Sequence, residues 1–305
     1  MVDQAEKLRQ LVRSKSTDSL PDAALQMNER EMGKTERRAR IVAITSGKGG
    51  VGKTSISTNL AIELALLGKR VTIFDADLSL ANIDVLLGLR PRFNLNHVIN
   101  GDKSLEDIMV EGPHGIRIIP ASSGIQEMAD MSEAALQRLI GQFAQLEREC
   151  DFLLVDTAAG ISDNVLAFLH AADEILIVTT PEPTAYTDAY AMIKVLQERN
   201  VPAQLGLIVN MAQSRREALN AAEGIVVISQ KFLQAGVKDY GYLLRDPEVP
   251  RATRRQEAFT LYNPSCAAAR SVRSLARLMA QSNSPVGKPH WRGFMDRFAA
   301  YFRAE

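Results

Sequence analysis

Apolar residues along this chain fall into short unbroken runs, separated by longer stretches with helical spacing, and the alternation begins at residue 41. The runs at 41–45, 70–75, 116–120, 152–156, 174–179, 204–210 and 238–243 read as strands. They are continuous rather than alternating with polar residues, as expected where helices cover both faces of a mostly parallel sheet. Helical spacing predicts helices near 54–67, 132–149, 162–171, 184–199, 214–235 and 265–280. The expected class is therefore α/β: a doubly wound, mostly parallel sheet over 41–280 that binds ligands at the carboxyl ends of its strands.

The two ends of the chain follow other patterns. Residues 1–13 carry a short helical pattern with Ala5, Leu8, Leu11 and Val12 on one side. A helix that short is marginal in isolation, so it either orders on a partner or on the domain, or it frays. Residues 14–40 are polar, carry Pro21 and Gly33, and read as a linker. At the other end, 281–289 read as a tether within a terminal segment spanning 281–305. Beyond the tether, Trp291, Phe294, Met295, Phe298, Tyr301 and Phe302 occupy one helical arc flanked by Arg292 and Arg297. Such a helix is too short to span a bilayer. It suits lying on a surface; docking on its own domain is the plain alternative, but the tether and the aromatic–arginine mixture favour a surface or partner contact.

Composition narrows the classes. The 305 residues are 46% hydrophobic and 24% charged, with formal net charge zero. No global field favours nucleic acid or anionic lipid, so such contacts require a local patch, and no specific nucleic-acid partner is expected. Cys150 and Cys266 are isolated in sequence, which argues against a structural zinc or iron–sulfur site. No run of 18 apolar residues and no signal-peptide core occur, so the expected location is cytoplasmic.

The chemistry concentrates at residues 41–54. Ile41 to Ile44 form a strand, Gly47, Gly49, Gly50 and Gly52 a tight loop around Lys48 and Val51, and Lys53, Thr54 and Ser55 open a helix. Strand, glycine loop and helix in that order aim backbone N–H groups and the positive helix end at one point, which is a phosphate cradle. Gly47 through Gly52-Lys53-Thr54 fits the P-loop, with Lys53 for the β/γ-phosphates and the Thr54 hydroxyl for Mg²⁺. Gly47, Gly49 and Gly52 also fit a dinucleotide fingerprint, with Asp75 as its ribose acid. Lys53-Thr54 has no role in that fingerprint, and a later strand ends in Asp156, where a Mg²⁺-coupled carboxylate belongs. Triphosphate binding is the stronger reading.

Gly47-Lys48-Gly-Gly-Val-Gly-Lys53-Thr54, Phe74-Asp-Ala-Asp77 and Asp156-Thr-Ala-Ala-Gly160 together resemble the deviant Walker A (SIMIBI) ATPases of the MinD/ParA family, over roughly 40–280. The resemblance implies ATP and Mg²⁺ as ligands, and an ATP-sandwich homodimer in which Lys48 reaches the partner's nucleotide. It implies that Asp77 positions the attacking water, that Asp75 supports metal or base, and that Asp156 holds Mg²⁺. Asn210 matches the residue that contacts adenine, and Asp246 begins the matching loop that closes over the base. A helix cap or turn remains the plain alternative for any one of these aspartates.

Within the family, the flagellar-number regulators (the FlhG/FleN subgroup) fit best. Asp3-Gln4-Ala-Glu-Lys-Leu-Arg9 resembles their D-Q-A-x-x-L-R motif, which implies an FlhF-like, signal-recognition-type GTPase as partner. Residues 290–304 resemble their membrane-targeting helix, implying peripheral contact with the inner face of the cell membrane when ATP is bound. A flagellar transcription activator is a further implied partner. The alternatives are a MinD-like ATPase of division-site placement, which has no need of Asp3 to Arg9, and a ParA-type DNA-partitioning ATPase.

Overall fold

Among the described residues, eight strands pair into one sheet in the order β3-β4-β2-β5-β1-β6-β7-β8. They are β1 (Arg40–Thr45), β2 (Val71–Ala76), β3 (Val110–Glu111), β4 (Arg117–Ile119), β5 (Phe152–Thr157), β6 (Glu174–Thr179), β7 (Gln204–Ala212) and β8 (Val237–Leu244). All neighbours are parallel except β3, which runs antiparallel to β4 at the edge. The computed structural model describes residues 38–77, 82–120, 133–282 and 293–303, and 38 to 305 form one compact unit. The expected 1–13 helix and most of the 14–40 linker lie outside the described residues.

Every residue of β1, β2, β5 and β6 is buried, which is why these strands lack polar alternation. The long helices are α1 (Lys53–Leu66), α5 (Glu133–Glu149), α6 (Asp163–Ala171), α7 (Pro183–Glu198), α8 (Arg215–Leu233) and α11 (Ala267–Gln281). They lie within a residue or two of the ranges expected from spacing. Between β2 and β3 the described residues form three short helices, α2 (Ile83–Leu87), α3 (Leu95–Ile99) and α4 (Leu105–Ile108). Two more, α9 (Glu248–Arg254) and α10 (Phe259–Tyr262), follow β8. None of the five is expected from periodicity, since four to seven residues complete too few turns to show it.

The core divides into one apolar cluster on each face of the sheet. α12 (Phe294–Arg303) belongs to the first of these. Phe294, Met295, Phe298 and Tyr301 are buried, with Phe298 4.6 Å from Phe168 of α6 and Phe294 5.9 Å from Phe143 of α5. Burying each such side chain is worth roughly 1.5–3 kcal/mol. Of the aromatic arc read as a lipid-facing surface, Phe294, Met295, Phe298 and Tyr301 are thus covered by the protein itself, with α5 and α6 against them. Arg297, which flanks the arc, is buried and pairs with Asp173 at 2.8 Å.

Candidate nucleotide site

The site begins where β1 ends. Gly50 and Gly52 take left-handed φ values of 79° and 88°, which a side chain would resist. Gly47 answers a different need: a Cβ there would lie 2.4 Å from the Asp188 carbonyl oxygen of α7. The loop borders a cavity of about 1340 Å³ at the carboxyl edge of the sheet, lined by Lys53, Thr54, Ser55, Asp77 and Asn210. Asp246, Pro247, Val249 and Pro250 line it as well.

Lys53 is buried and its Nζ lies 3.1 Å from Asp156 Oδ1, which also accepts from the Ser57 hydroxyl at 2.7 Å. Asp156 Oδ2 is buried with no hydrogen-bond partner among the described residues. An orphaned carboxylate oxygen beside the Thr54 hydroxyl's helix is what a hard cation requires, so these residues fit Mg²⁺. Among the described residues no cluster of three His, Cys, Asp or Glu gathers for a metal.

Asp75 is held by backbone amides. It pairs in register with Asp156 on the neighbouring strand. Its Oδ1 accepts from the Asp77 amide at 3.2 Å, and its Oδ2 from the amides of Asn82 at 3.1 Å and Ile83 at 3.3 Å. Both oxygens are therefore engaged by backbone, and the carboxylate bridges the two sides of the 78–81 segment. Burial, then the nearby Asp156 charge, push the Asp75 carboxyl up to about 7. Asp77 lines the cavity, with its Oδ2 3.4 Å from Nδ2 of the Asn82 side chain.

Lys48 stands apart from the other loop residues. Its ammonium lies 3.2 Å from Glu182 Oε2 and 3.0 Å from Thr184 Oγ1, at the start of α7, and its side chain is 40% exposed. Two lysines of one loop thus face different surroundings: Lys53 a buried carboxylate, Lys48 the open surface.

A family model described as ParA, NUBPL iron-transfer P-loop NTPase, matches residues 37–280. The chain belongs to the ParA/MinD family of P-loop ATPases. Antiactivator FleN of Pseudomonas aeruginosa is 40% identical over 263 residues, which cover 86% of this chain and 94% of that protein. Flagellum site-determining protein YlxH of Helicobacter pylori is 34% identical over 281 residues, covering 92% and 90%. Among solved structures, Pyrococcus horikoshii MinD complexed with Mg-ADP matches with a TM-score of 0.66 at 28% identity, covering 80% of this chain and 96% of that one. Among its described residues this ATPase has no helix that is long and apolar enough to cross a membrane.

Spacing alone missed Ser57, Glu182, Thr184 and Asn82. Ser57 was findable, because it sits one helical turn after Lys53 and so shares its face. Asp246 is engaged in the fold: its oxygens accept from the amides of Glu248 at 3.0 Å and Ala268 at 3.1 Å, bracing α9 and α11. Burial alone would raise its carboxyl, but those amides outweigh it and hold the group below the ordinary range.

Proposed function

We propose that this ATPase is a dimerising switch that sets flagellar number or placement, acting through an FlhF-like GTPase and through the membrane. ATP with Mg²⁺ is the ligand. The loop amides from Gly49 to Ser55 and Lys53 take the phosphates, and Asn210 and the loop from Asp246 border the base. Thr54 and Asp156 would hold Mg²⁺, which supplies charge neutralisation at the phosphates. Asp77 orients the water, and Lys48 completes the site of the partner subunit.

The observation that carries the reading is Lys48, held on Glu182 and Thr184 at an exposed edge rather than turned toward Asp156. A cation so placed can serve a second copy's phosphates without leaving its own loop disordered. The flagellar assignment is supported by FleN and YlxH, which match this chain over most of both lengths. Membrane contact belongs to residues 290–304 and requires α12 to leave its groove, so it is confined to one state of the switch. A flagellar transcription activator is the other protein partner.

The GTPase arm can be tested without the ATPase domain. A synthetic peptide of residues 1–20 should speed GTP hydrolysis by the FlhF-like GTPase. Gln4→Ala should lose most of the stimulation but keep binding, and Leu8→Asp should lose both. A GTPase rate untouched by the wild-type peptide would favour division-site placement, the MinD-like role.

A further inference from the structure

The end of β7 is where backbone regularity breaks down. Its register against β8 shifts between Leu207 and Val209, and again between Val209 and Ala212. Met211, inside the break, holds a left-handed φ of 58°. A methionine rests in that region only where its surroundings impose it. Bulges of this kind re-aim a side chain next to an active site. The re-aimed side chain here is Asn210.

Asn210 is buried between β7 and the phosphate loop. Its Oδ1 accepts from the Met211 amide at 2.9 Å, and its Nδ2 donates to the Val51 carbonyl at 2.8 Å. The Met211 N–H requires an oxygen and the Val51 carbonyl requires a donor, so the orientation of the amide is fixed at both ends. The fit against the loop is tight: a Cβ on Gly52 would lie 2.4 Å from Asn210 Nδ2 and 3.3 Å from Met211 Cε.

We propose that Asn210 is a positioning residue for the phosphate loop. In a trans peptide the Val51 carbonyl and the Gly52 N–H point in opposite directions, so anchoring one aims the other. Asn210 holds the carbonyl, whose partial negative charge would repel phosphate, and thereby presents the Gly52 N–H to the anion. The bulge and the Met211 conformation exist to bring this one amide to the loop. The inference rests on triphosphate binding at this loop, which titration of the wild-type protein with ATP checks separately.

The test uses the full chain with Mg²⁺ and three ligands: ATP, GTP and inorganic tripolyphosphate, which has no base. Isothermal titration of Asn210→Ala should give dissociation constants raised about tenfold for all three, base-free tripolyphosphate included. Asn210→Leu, which keeps the volume but has no donor, should behave alike and carries the test if the alanine variant folds poorly. Weakened ATP with unchanged tripolyphosphate would overturn the proposal and make Asn210 a base reader. So would a lowered ligand-free melting temperature with all three affinities intact, since that is packing alone.

Discussion

Lys48 and Lys53 lie in one loop, yet the physics around them differs sharply. Lys53 shares a buried carboxylate with Ser57, while Lys48 makes a solvated pair with Glu182 that is worth little to the fold. Lys48→Ala should therefore leave the melting temperature and ATP affinity nearly unchanged. Turnover should fall at least tenfold, about 1.4 kcal/mol of transition-state stabilisation. Steady-state phosphate release beside equilibrium dialysis separates the two, and unchanged turnover would refute the role in the partner subunit. Asp75 makes a prediction in pH. Its carboxyl is raised from 3.8 to about 7, so the folded protein binds a proton there that the unfolded chain has lost. Its contribution to stability is full below about 4 and is lost as pH rises to about 7, on the order of 4 kcal/mol at most. Asp75→Asn should flatten ligand-free stability over that window in denaturant titrations, and an unchanged slope would contradict the assignment. Lys53, Thr54 and Asp156 were legible in sequence because a phosphate cradle is built from contiguous residues and a strand end. Glu182 and Thr184 were not: their contact with Lys48 spans more than a hundred residues and exists only because β6 lies beside β1.

At the level of elements, the buried strands showed themselves because continuous apolar runs leave few alternatives, whereas α2, α3 and α4 are too short to display a period. The amphipathic arc of α12 illustrates a different limit. A membrane interface and a groove lined by Phe143 and Phe168 demand the same pattern of aromatic residues, so the pattern cannot name its partner. The groove between α5 and α6 holds it here through Phe294 and Phe298. α6 also begins just after the Asp156–Gly160 segment, and its Phe168 touches Phe74, the neighbour of Asp75. The nucleotide site and the helix groove therefore share a wall. Arg297→Ala removes the ion pair with Asp173 while leaving the aromatic arc intact. It should weaken docking by about 1.5–3 kcal/mol. Without nucleotide, more of this variant than of wild type should float with anionic vesicles. Equal flotation of the two would mean that docking does not limit membrane contact.

Across the whole molecule, the chain's entry and exit are fastened to the same two carboxylates. Glu147 takes the Arg38 guanidinium at 2.8 Å and the Phe294 amide at 2.7 Å. Asp173 takes the Ile41 amide at 2.9 Å and Arg297 at 2.8 Å. The backbone is close enough at this joint that a Cβ on Gly293 would lie 3.1 Å from both Arg38 Nη2 and Glu147 Oε1. Arg38 follows the segment that carries Asp3 to Arg9, and Phe294 opens the helix that faces the groove. Loss of one end should therefore be felt at the other. Glu147→Ala removes the carboxylate that both groups share, and Arg38, already 37% exposed, can rehydrate without leaving a buried charge. Local opening should become roughly tenfold or more easier at both ends, since hydrogen bonds to a charged group are worth about 1.5–3 kcal/mol. Limited trypsin digestion read by mass spectrometry should then show faster cleavage after Arg38 and after Arg297 together. The Arg297→Ala helix should release while the Ile41 amide keeps Asp173, so cleavage after Arg38 should rise less than in Glu147→Ala. Faster cleavage at only one end in Glu147→Ala would mean that the two ends share a carboxylate without sharing a transition.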